Sequence, residues 1–200
     1  MKTVFEGDGF SVRRIVTPPF DNNVYLITCT ETRKSLIVDA ASDPDAVVAM
    51  ASGTAVIGVA TTHGHWDHHG AIPEVTDRLG IPFFLHTEDA AIADKEPYVP
   101  LTPGALVIGD VTATVLHTPG HTPGSVCIAL PGVVLSGDTL FPGGPGATRF
   151  DHSSFDAIIE SITANLFTRP PDTVVLPGHG SSTTIATEQP HLATWIERGW

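Results

Sequence analysis

Short apolar runs punctuated by glycine and proline dominate the first half of the chain, and they predict β-strands. Residues 10–16 alternate loosely between apolar and polar side chains, and residues 24–27 and 36–38 are short apolar runs. Residues 55–62 are small, apolar and β-branched, which is typical of a strand covered on both faces. The same criteria predict further strands at 82–85, 111–117, 125–130, 133–136 and 174–176.

Helices are predicted where capping residues precede apolar positions at helical spacing. Asp43 and Pro44 open one such segment, with proline at its first position, and Gly53 closes it. Ser153 and Asp156 have the spacing of a capping box. Further helices are predicted at 71–79, 87–95, 154–166 and 190–198, and proline- and glycine-rich loops at 97–104 and 141–147.

The order of these elements predicts an α+β fold. Each half of the chain runs strands first and helices later, which indicates two β-sheets packed together with helices outside. The chain has 200 residues, of which 42% are hydrophobic, so it can bury a core without disulfides. We therefore expect a single domain spanning residues 1–200.

Composition narrows the expected partners and compartment. The formal charge is −12, and lysine and arginine occur only as singles and pairs, which disfavours nucleic acid and anionic membranes as partners. Cys29 and Cys127 lie far apart in predicted strands and are expected to be buried thiols. The N-terminal residues are acidic where a signal peptide is apolar, and no apolar run approaches the about 20 residues of a membrane span. A cytoplasmic protein is expected.

The candidate chemistry lies in a histidine cluster. The chain has ten histidines, and four of them fall between positions 63 and 69, where a predicted strand ends and a helix begins. Residues two apart in an extended chain point the same way, so His63 and His65 can share one metal ion. Asp67 and His68 open the next turn and face elsewhere, which favours a second, adjacent ion.

Three further candidate ligands stand beside glycine at predicted strand ends. His121 lies between two Pro-Gly turns directly before a strand, Asp138 ends the next strand, and His179 follows a later one. Glycine lets the backbone approach an ion closely. These strand ends can converge on one rim of a β-sandwich.

The His-x-His-x-Asp-His motif, followed in order by His121, Asp138 and His179, resembles that of the metallo-β-lactamase-fold hydrolases. Within that superfamily the chain is most similar to the glyoxalase II group. The resemblance implies a four-layer αβ/βα sandwich of two mixed sheets. It also implies that His63, His65 and His121 bind one metal, that Asp67, His68 and His179 bind the other, and that Asp138 bridges both.

The resemblance further implies a dinuclear zinc thioesterase in which a hydroxide bridging the two metals is the nucleophile and Asp67 orients it. Iron or manganese can also occupy such His/Asp sites. Asp39, at a strand end, is the expected outer partner of a ligand. The substrate is expected to be an anionic thioester or ester, with Arg149, Tyr25 and His152 as candidate contacts. Core packing is the competing role for the ring of Tyr25.

Other activities remain open at this stage. The β-lactamases of class B commonly have cysteine in place of Asp138, which disfavours antibiotic hydrolysis. A mononuclear iron persulfide dioxygenase would use His63, His121 and Asp138. A lactonase, a phosphodiesterase and a non-catalytic metal-binding protein are further alternatives. The loop at 144–150 also departs from the G-x-G-R-T-D-F pattern of many relatives, since its arginine lies two positions later.

The remaining residues of interest are expected to support the fold. His69 is expected to face solvent or to lie outside the metal ligands, because His68 already fills the ligand position. His86 and His117 stand at strand ends as structural residues. Trp66 is expected to pack beneath the metal loop.

Overall fold

Two β-sheets lie face to face in the computed structural model, which describes residues 1–199. The first sheet has seven strands in sequential order, antiparallel from β1 to β4 and parallel from β4 to β7. Its strands are β1 (Lys2–Gly7), β2 (Phe10–Thr17), β3 (Asn22–Cys29), β4 (Lys34–Val38), β5 (Ala55–Ala60), β6 (Phe83–Leu85) and β7 (Val99–Pro100).

The second sheet has six strands in the order β15-β14-β11-β10-β9-β8. Only the β11–β14 pair in this sheet is parallel. Its strands are β8 (Gly104–Ile108), β9 (Val111–His117), β10 (Val126–Leu130), β11 (Val133–Gly137), β14 (Val174–Pro177) and β15 (Thr183–Thr184). A small hairpin of β12 (Leu140–Phe141) and β13 (Gly144–Pro145) lies between β11 and β14 in the chain.

Helices cover the outer face of each sheet. Residues Pro44–Met50 (α1), Ile72–Leu79 (α2), Ala90–Ala93 (α3), Phe155–Ser161 (α4), Ile185–Glu188 (α5) and Leu192–Arg198 (α6) are α-helical. Single 3₁₀ turns cover Trp66–His68, Thr87–Asp89 and Gln189–His191, and a π-helical turn covers Ile162–Leu166. No helix among residues 1–199 combines the length and the apolar character that crossing a membrane requires.

Three apolar clusters define four layers. The central cluster joins the inner faces of the two sheets, with Ile27 and Leu36 on one side and Ile128 and Leu135 on the other. A second cluster packs α1 and α2 on the first sheet, and a third packs α4, the π turn and α6 on the second. The sheets are mixed and the helices lie outside, so the predicted four-layer α+β architecture is confirmed.

Several element boundaries differ from prediction. The loop at 97–104 contains a short edge strand, because Val99 and Pro100 pair with β6. Helix α4 is capped by Ser154, whose hydroxyl accepts from Ala157 N–H. Ser153 is therefore not the cap: its hydroxyl donates to the carbonyl of Phe150 instead.

The topology places one end of many strands at a single edge of the sandwich. Strands β4 and β5 are parallel, as are β11 and β14, and β9 runs in the same direction as β11. The two sheets are joined at this edge by a bridge between Asn22 and His179 and by the hydrogen bond from Asn23 N–H to the Gly178 carbonyl, at 2.7 Å. Loops that follow these strands therefore face one another.

Candidate metal centre

Seven side chains of metal-ligand type lie together at this edge of the sandwich. They form three overlapping sets, and within each set the ligand atoms lie within 4.8 Å of one another. The first set is His63, His65 and His121, the second set is Asp67, His68 and His179, and a linking set of His63, His68 and Asp138 overlaps both. All seven side chains that the sequence selected are thus brought together.

In the first set, three imidazoles each turn one nitrogen inward. His65 Nδ1 lies 2.9 Å from His121 Nε2, and His63 Nε2 is buried without a hydrogen-bond partner. The outward nitrogens are occupied: His121 Nδ1 donates to the Ala147 carbonyl at 2.7 Å, and His63 Nδ1 lies 3.1 Å from the Thr62 hydroxyl. Because a neutral imidazole carries one proton, these bonds leave the inward nitrogens as lone-pair donors.

The second set is arranged in the same way. His68 Nε2 lies 3.2 Å from His179 Nε2, and Asp67 Oδ2 lies 3.6 and 3.3 Å from these two atoms. The outward nitrogens again have acceptors, since His68 Nδ1 donates to Asp39 Oδ2 at 2.9 Å and His179 Nδ1 donates to the Phe20 carbonyl at 3.0 Å.

Asp138 contacts both sets. Its Oδ1 lies 3.5 Å from His68 Nε2, and its Oδ2 lies 3.7 Å from the Nε2 atoms of His121 and His179. A Cβ added at Gly178 would stand 2.3 Å from Asp138 Oδ1, so a glycine is required for the strand end to pass this close. This carboxylate is placed to join two neighbouring ions.

These atoms fit divalent metal ions. Lone pairs on nitrogens 2.9 and 3.2 Å apart repel each other unless a cation or a proton lies between them. The ligand atoms of a tetrahedral ion bound at about 2.0–2.1 Å lie about 3.3 Å apart. His63 Nε2 and Asp138 Oδ1 are also buried without hydrogen-bond partners, as expected of atoms whose partner is a metal. Imidazole and carboxylate suit zinc, iron and manganese.

The pKa values of the ligand side chains also favour metal binding. Burial lowers the pKa of His63 well below its ordinary value, and burial together with His121 lowers that of His65 to about 4. At His68, burial is outweighed by the carboxylates of Asp138, Asp39 and Asp67, which raise its pKa to about 9. The first set therefore favours neutral rings, and the carboxylates attract cations to the second.

Asp39, the expected outer partner of a ligand, lies behind His68. Its Oδ1 accepts from Thr62 N–H at 2.8 Å, and its Oδ2 accepts from the Thr62 hydroxyl at 3.1 Å. The carboxylate thus fixes His68 directly and His63 through the Thr62 hydroxyl. One buried acid supports a ligand in each set.

Sequence reasoning missed Asn22. This side chain is 1% exposed, and its Nδ2 donates to Asp67 Oδ2 at 3.0 Å and lies 3.4 Å from His179 Nε2. The amide nitrogen must face Asp67, because two oxygens would repel. Its signal in the sequence is its place two residues before a predicted strand.

Asp89 was missed as well. It is fully buried at the end of the Thr87–Asp89 turn and bonds to the loops on either side of the first set. Gly64 N–H, Gly124 N–H and the Thr122 hydroxyl each donate to it at 2.6 Å. No spacing rule connects residue 89 with these partners.

The three candidate substrate contacts lie in different surroundings in the structure. Tyr25 is 2% exposed and its hydroxyl donates to the Pro177 carbonyl at 2.7 Å, so it supports the His179 loop and does not face a substrate. Arg149 is exposed beside the site, with its guanidinium 5.7 Å from the centre of the Phe150 ring. His152 Nε2 lies 3.1 Å from His65 Nε2, which places it behind a ligand.

One further expectation is corrected and another is made specific, since His69 lies outside the metal ligands, as expected, but is buried and does not face solvent. Trp66 is 64% exposed and meets the ring of Phe20 edge-on at 5.4 Å, so it stands at the mouth of the site and not beneath it. His69 is 2% exposed, and its Nε2 donates to the Gly64 carbonyl at 3.0 Å. The 3₁₀ turn at Trp66–His68 rotates Trp66 outward and His69 inward, which strand or helix spacing does not anticipate.

His86, Glu88 and His117 form another group of ligand-type side chains. The two rings stack 4.3 Å apart with an 18° angle between their planes. Nearly parallel rings direct their lone pairs side by side and not at one point. His117 Nε2 also donates to the Pro123 carbonyl at 2.8 Å, so the structural role expected of His117 fits its contacts.

Comparison with known proteins defines the family. The sequence profile of the metallo-β-lactamase superfamily matches residues 17–179. The chain therefore belongs to the metallo-β-lactamase superfamily.

Two curated relatives show how far the likeness extends. The probable metallo-hydrolase YqgX of Bacillus subtilis is 32% identical over 88% of this chain and 93% of its own length. The probable hydroxyacylglutathione hydrolase glo2 of Schizosaccharomyces pombe is 32% identical over 80% of this chain and 64% of its own length. The first likeness spans nearly the whole of both chains, and the second covers only part of the longer relative.

Three solved structures illustrate the shared fold, each with a TM-score of 0.81. BLEG-1, a B3 metallo-β-lactamase, is 28% identical and aligns over 92% of this chain and 98% of its own. TTHA1623 in a di-iron-bound form is 30% identical over 88% and 96%. ETHE1 from Myxococcus xanthus is 29% identical over 90% and 82%. These neighbours belong to different branches, so the fold alone does not select the substrate.

Proposed function

We propose that the protein is a metal-dependent hydrolase with two divalent ions, zinc, that cleaves a thioester resembling the substrates of glyoxalase II. The observation that carries the proposal is the convergence of two sets of inward-facing ligand atoms on a shared carboxylate, Asp138. His63, His65 and His121 would hold one ion, and Asp67, His68 and His179 the other. The likeness to a probable hydroxyacylglutathione hydrolase supports the thioester as substrate.

The two ions, when bound, would lower the pKa of a shared water toward neutrality and polarise the carbonyl under attack. The side chains prepare for this chemistry. Burial opposes ionisation of Asp67, but His179, His68 and Asn22 outweigh it and hold its pKa well below the ordinary value. Asp67 is therefore an ionised acceptor that can orient the proton of an attacking water.

Exposed aromatic rings surround the ligands. Phe20, whose carbonyl accepts from the ligand His179, packs edge-on against Trp66, and Phe150 lies 4.8 Å from the ring of His65. Such rings exclude water from a bound substrate, which strengthens the electrostatic interactions beneath them. Arg149, exposed next to Phe150, is placed to attract an anionic group of the substrate. A thiolate leaves without needing a proton, so no further acid is required for a thioester.

That the two ions are zinc is a proposal separate from the hydrolase activity. The di-iron-bound form of TTHA1623 shows that a structural neighbour accepts iron. A mononuclear iron enzyme, the persulfide dioxygenase alternative, would need only His63, His121 and Asp138. In this chain Asp67, His68 and His179 are equally well arranged, which favours two ions.

Hydrolysis of a panel of substrates tests this function. Zinc-loaded protein is expected to cleave an anionic hydroxyacyl thioester, and Asp138→Asn is expected to lower kcat by at least about a hundredfold, since it removes the charge shared by both ions. Lys34→Gln, at the exposed start of β4 and therefore at the end of that strand opposite Asp39, serves as the control. Oxygen consumption with a persulfide would favour the dioxygenase, cleavage of only lactones or phosphodiesters would favour those activities, and bound metal without turnover a non-catalytic metal-binding protein.

We propose a cytoplasmic location, in keeping with the acidic composition and the two free, buried cysteines. The expected partner is the small anionic substrate. Nucleic acid and membranes are not proposed as partners, because the basic residues are few and scattered.

A further inference from the structure

One carboxylate outside the ligand set joins the two chain segments that carry the first set. Asp89 Oδ2 accepts from Gly64 N–H and from the Thr122 hydroxyl, both at 2.6 Å, and its Oδ1 accepts from Gly124 N–H at 2.6 Å. Gly64 stands between His63 and His65, and Thr122 follows His121 directly. Asp89 therefore spans the three ligands of one set without touching any of them.

The fit around Asp89 leaves no room for side chains on its two glycine partners, Gly64 and Gly124. A Cβ added at Gly64 would lie 2.9 Å from the Asp89 carbonyl oxygen, and one at Gly124 would lie 2.7 Å from Asp89 Cγ. Contacts this short do not occur in folded proteins, so both positions require glycine as long as Asp89 occupies its place.

Three hydrogen bonds fix the position of the Asp89 carboxylate. The side chain is 0% exposed, and its donors are two backbone amides and a hydroxyl, all neutral. A buried carboxylate is stable only while such bonds are made, and charge-assisted bonds are about twice as strong as neutral ones. Movement of either ligand segment would break at least one of them.

The second set is supported by other groups. Asp39 fixes His68 and Asn22 contacts Asp67, whereas the Phe20 carbonyl fixes His179. The side-chain bonds of Asp89 go to the first-set loops, so a change at Asp89 acts directly on the first metal position, whereas a change at Asp39 would reach both.

We propose that Asp89 is a positioning residue that sets the affinity of the first metal position, formed by His63, His65 and His121. The inference rests on the metal centre of the proposed function. In this proposal Asp89 fixes the distance between the His63–His65 loop and the His121 loop. The second metal position does not depend on Asp89.

Zinc titration of metal-free protein tests the proposal. Parent, Asp89→Asn and Thr122→Val are titrated in competition with a chromophoric chelator, and imidazole nitrogen NMR identifies the rings that bind zinc. Glu88→Gln, the same change of charge at the exposed neighbouring residue, is the matched control. The melting temperature of each metal-free variant is recorded alongside.

Asp89→Asn turns an amide N–H₂ toward a backbone N–H, so it is expected to weaken zinc binding about 10- to 100-fold at the first position alone. Thr122→Val, which removes one of the three bonds, is expected to weaken the same position less, and it keeps the test valid if the Asn variant does not fold. Glu88→Gln is expected to match the parent.

Parent-like affinity in both variants would overturn the inference while leaving the proposed function standing. Equal weakening at both positions, in step with a lower melting temperature, would overturn it in favour of a general structural role. A parent protein that binds no zinc would overturn the proposed function and this inference together.

Discussion

At the scale of single residues, the outward nitrogen of each imidazole decides what its inward nitrogen can do. The Ala147 carbonyl behind His121 and the Phe20 carbonyl behind His179 accept a proton from Nδ1, which leaves Nε2 free for a metal. At His68 the acceptor is the carboxylate of Asp39. The backbone thus determines the tautomer of two of the ligands.

Two neighbouring asparagines have different roles. Asn22 contacts a metal ligand, whereas Asn23 bonds to the backbone of another loop, so substitutions at the two positions separate an effect on the metal centre from an effect on stability. Asn22→Ala removes the donor to Asp67 Oδ2, so we expect turnover to fall about 10- to 100-fold through poorer binding at the second position. Asn23 donates to the carbonyls of Pro177 and Gly180, at 2.9 and 3.0 Å, so Asn23→Ala is expected to lower the free energy of unfolding by about 1–3 kcal/mol.

Steady-state kinetics and denaturant unfolding measured on both variants check this prediction. Parent-like turnover and zinc affinity in Asn22→Ala would contradict the role given to Asn22. An unchanged unfolding free energy in Asn23→Ala would contradict the role given to Asn23.

The sequence predicted which residues meet but not what supports them. His63, His65, Asp67 and His68 were found because they stand close together in a recognisable spacing. Asp89 and Asn22 were not, since their partners lie 33 and 45 residues away and are reached only through the packing of the two sheets.

At the scale of elements, the His121 loop is held against helix α4. Ser161 Oγ donates to the Pro119 carbonyl at 2.7 Å, and Ser154 N–H donates to the Gly120 carbonyl at 2.8 Å. Pattern reasoning predicted the helix at 154–166 but not its final π turn, which depends on how Ile162 and Leu166 pack into the second sheet.

A substitution at Gly120 tests the contact between the His121 loop and helix α4. The φ of Gly120 is +144°, and a Cβ there would lie 2.4 Å from the backbone of Ile158. Gly120→Ala is therefore expected to destabilise the fold by about 2–6 kcal/mol through backbone strain and overpacking together. Thermal unfolding is the measurement.

Gly104→Ala is the matched control, because φ is +125° at Gly104 and a Cβ would meet nothing within 4 Å. Gly104→Ala is expected to lower the free energy of unfolding through backbone strain alone, by about 1–3 kcal/mol. Equal losses in the two variants would show that α4 does not press on the loop.

At the scale of the whole molecule, a strongly acidic protein concentrates histidine and carboxylate at one edge of its sandwich. Two divalent ions would add four positive charges there, offset in part by Asp67 and Asp138, so the centre would attract anions despite a net charge of −12. Two packed sheets with helices outside followed from the order of strands and helices, which repeats in both halves, and the four-layer arrangement of mixed sheets followed from the resemblance to the superfamily. The pairing of β11 with β14 did not, since parallel strands far apart in the chain carry no local signal.

The central claim is that one chain holds two metal ions, and metal stoichiometry tests it most directly. Elemental analysis of protein purified without added metal, followed by zinc titration of the metal-free form, is expected to give about two ions per chain, falling to about one in Asp67→Ala. One ion per chain in the parent under saturating zinc, or none, would contradict the account.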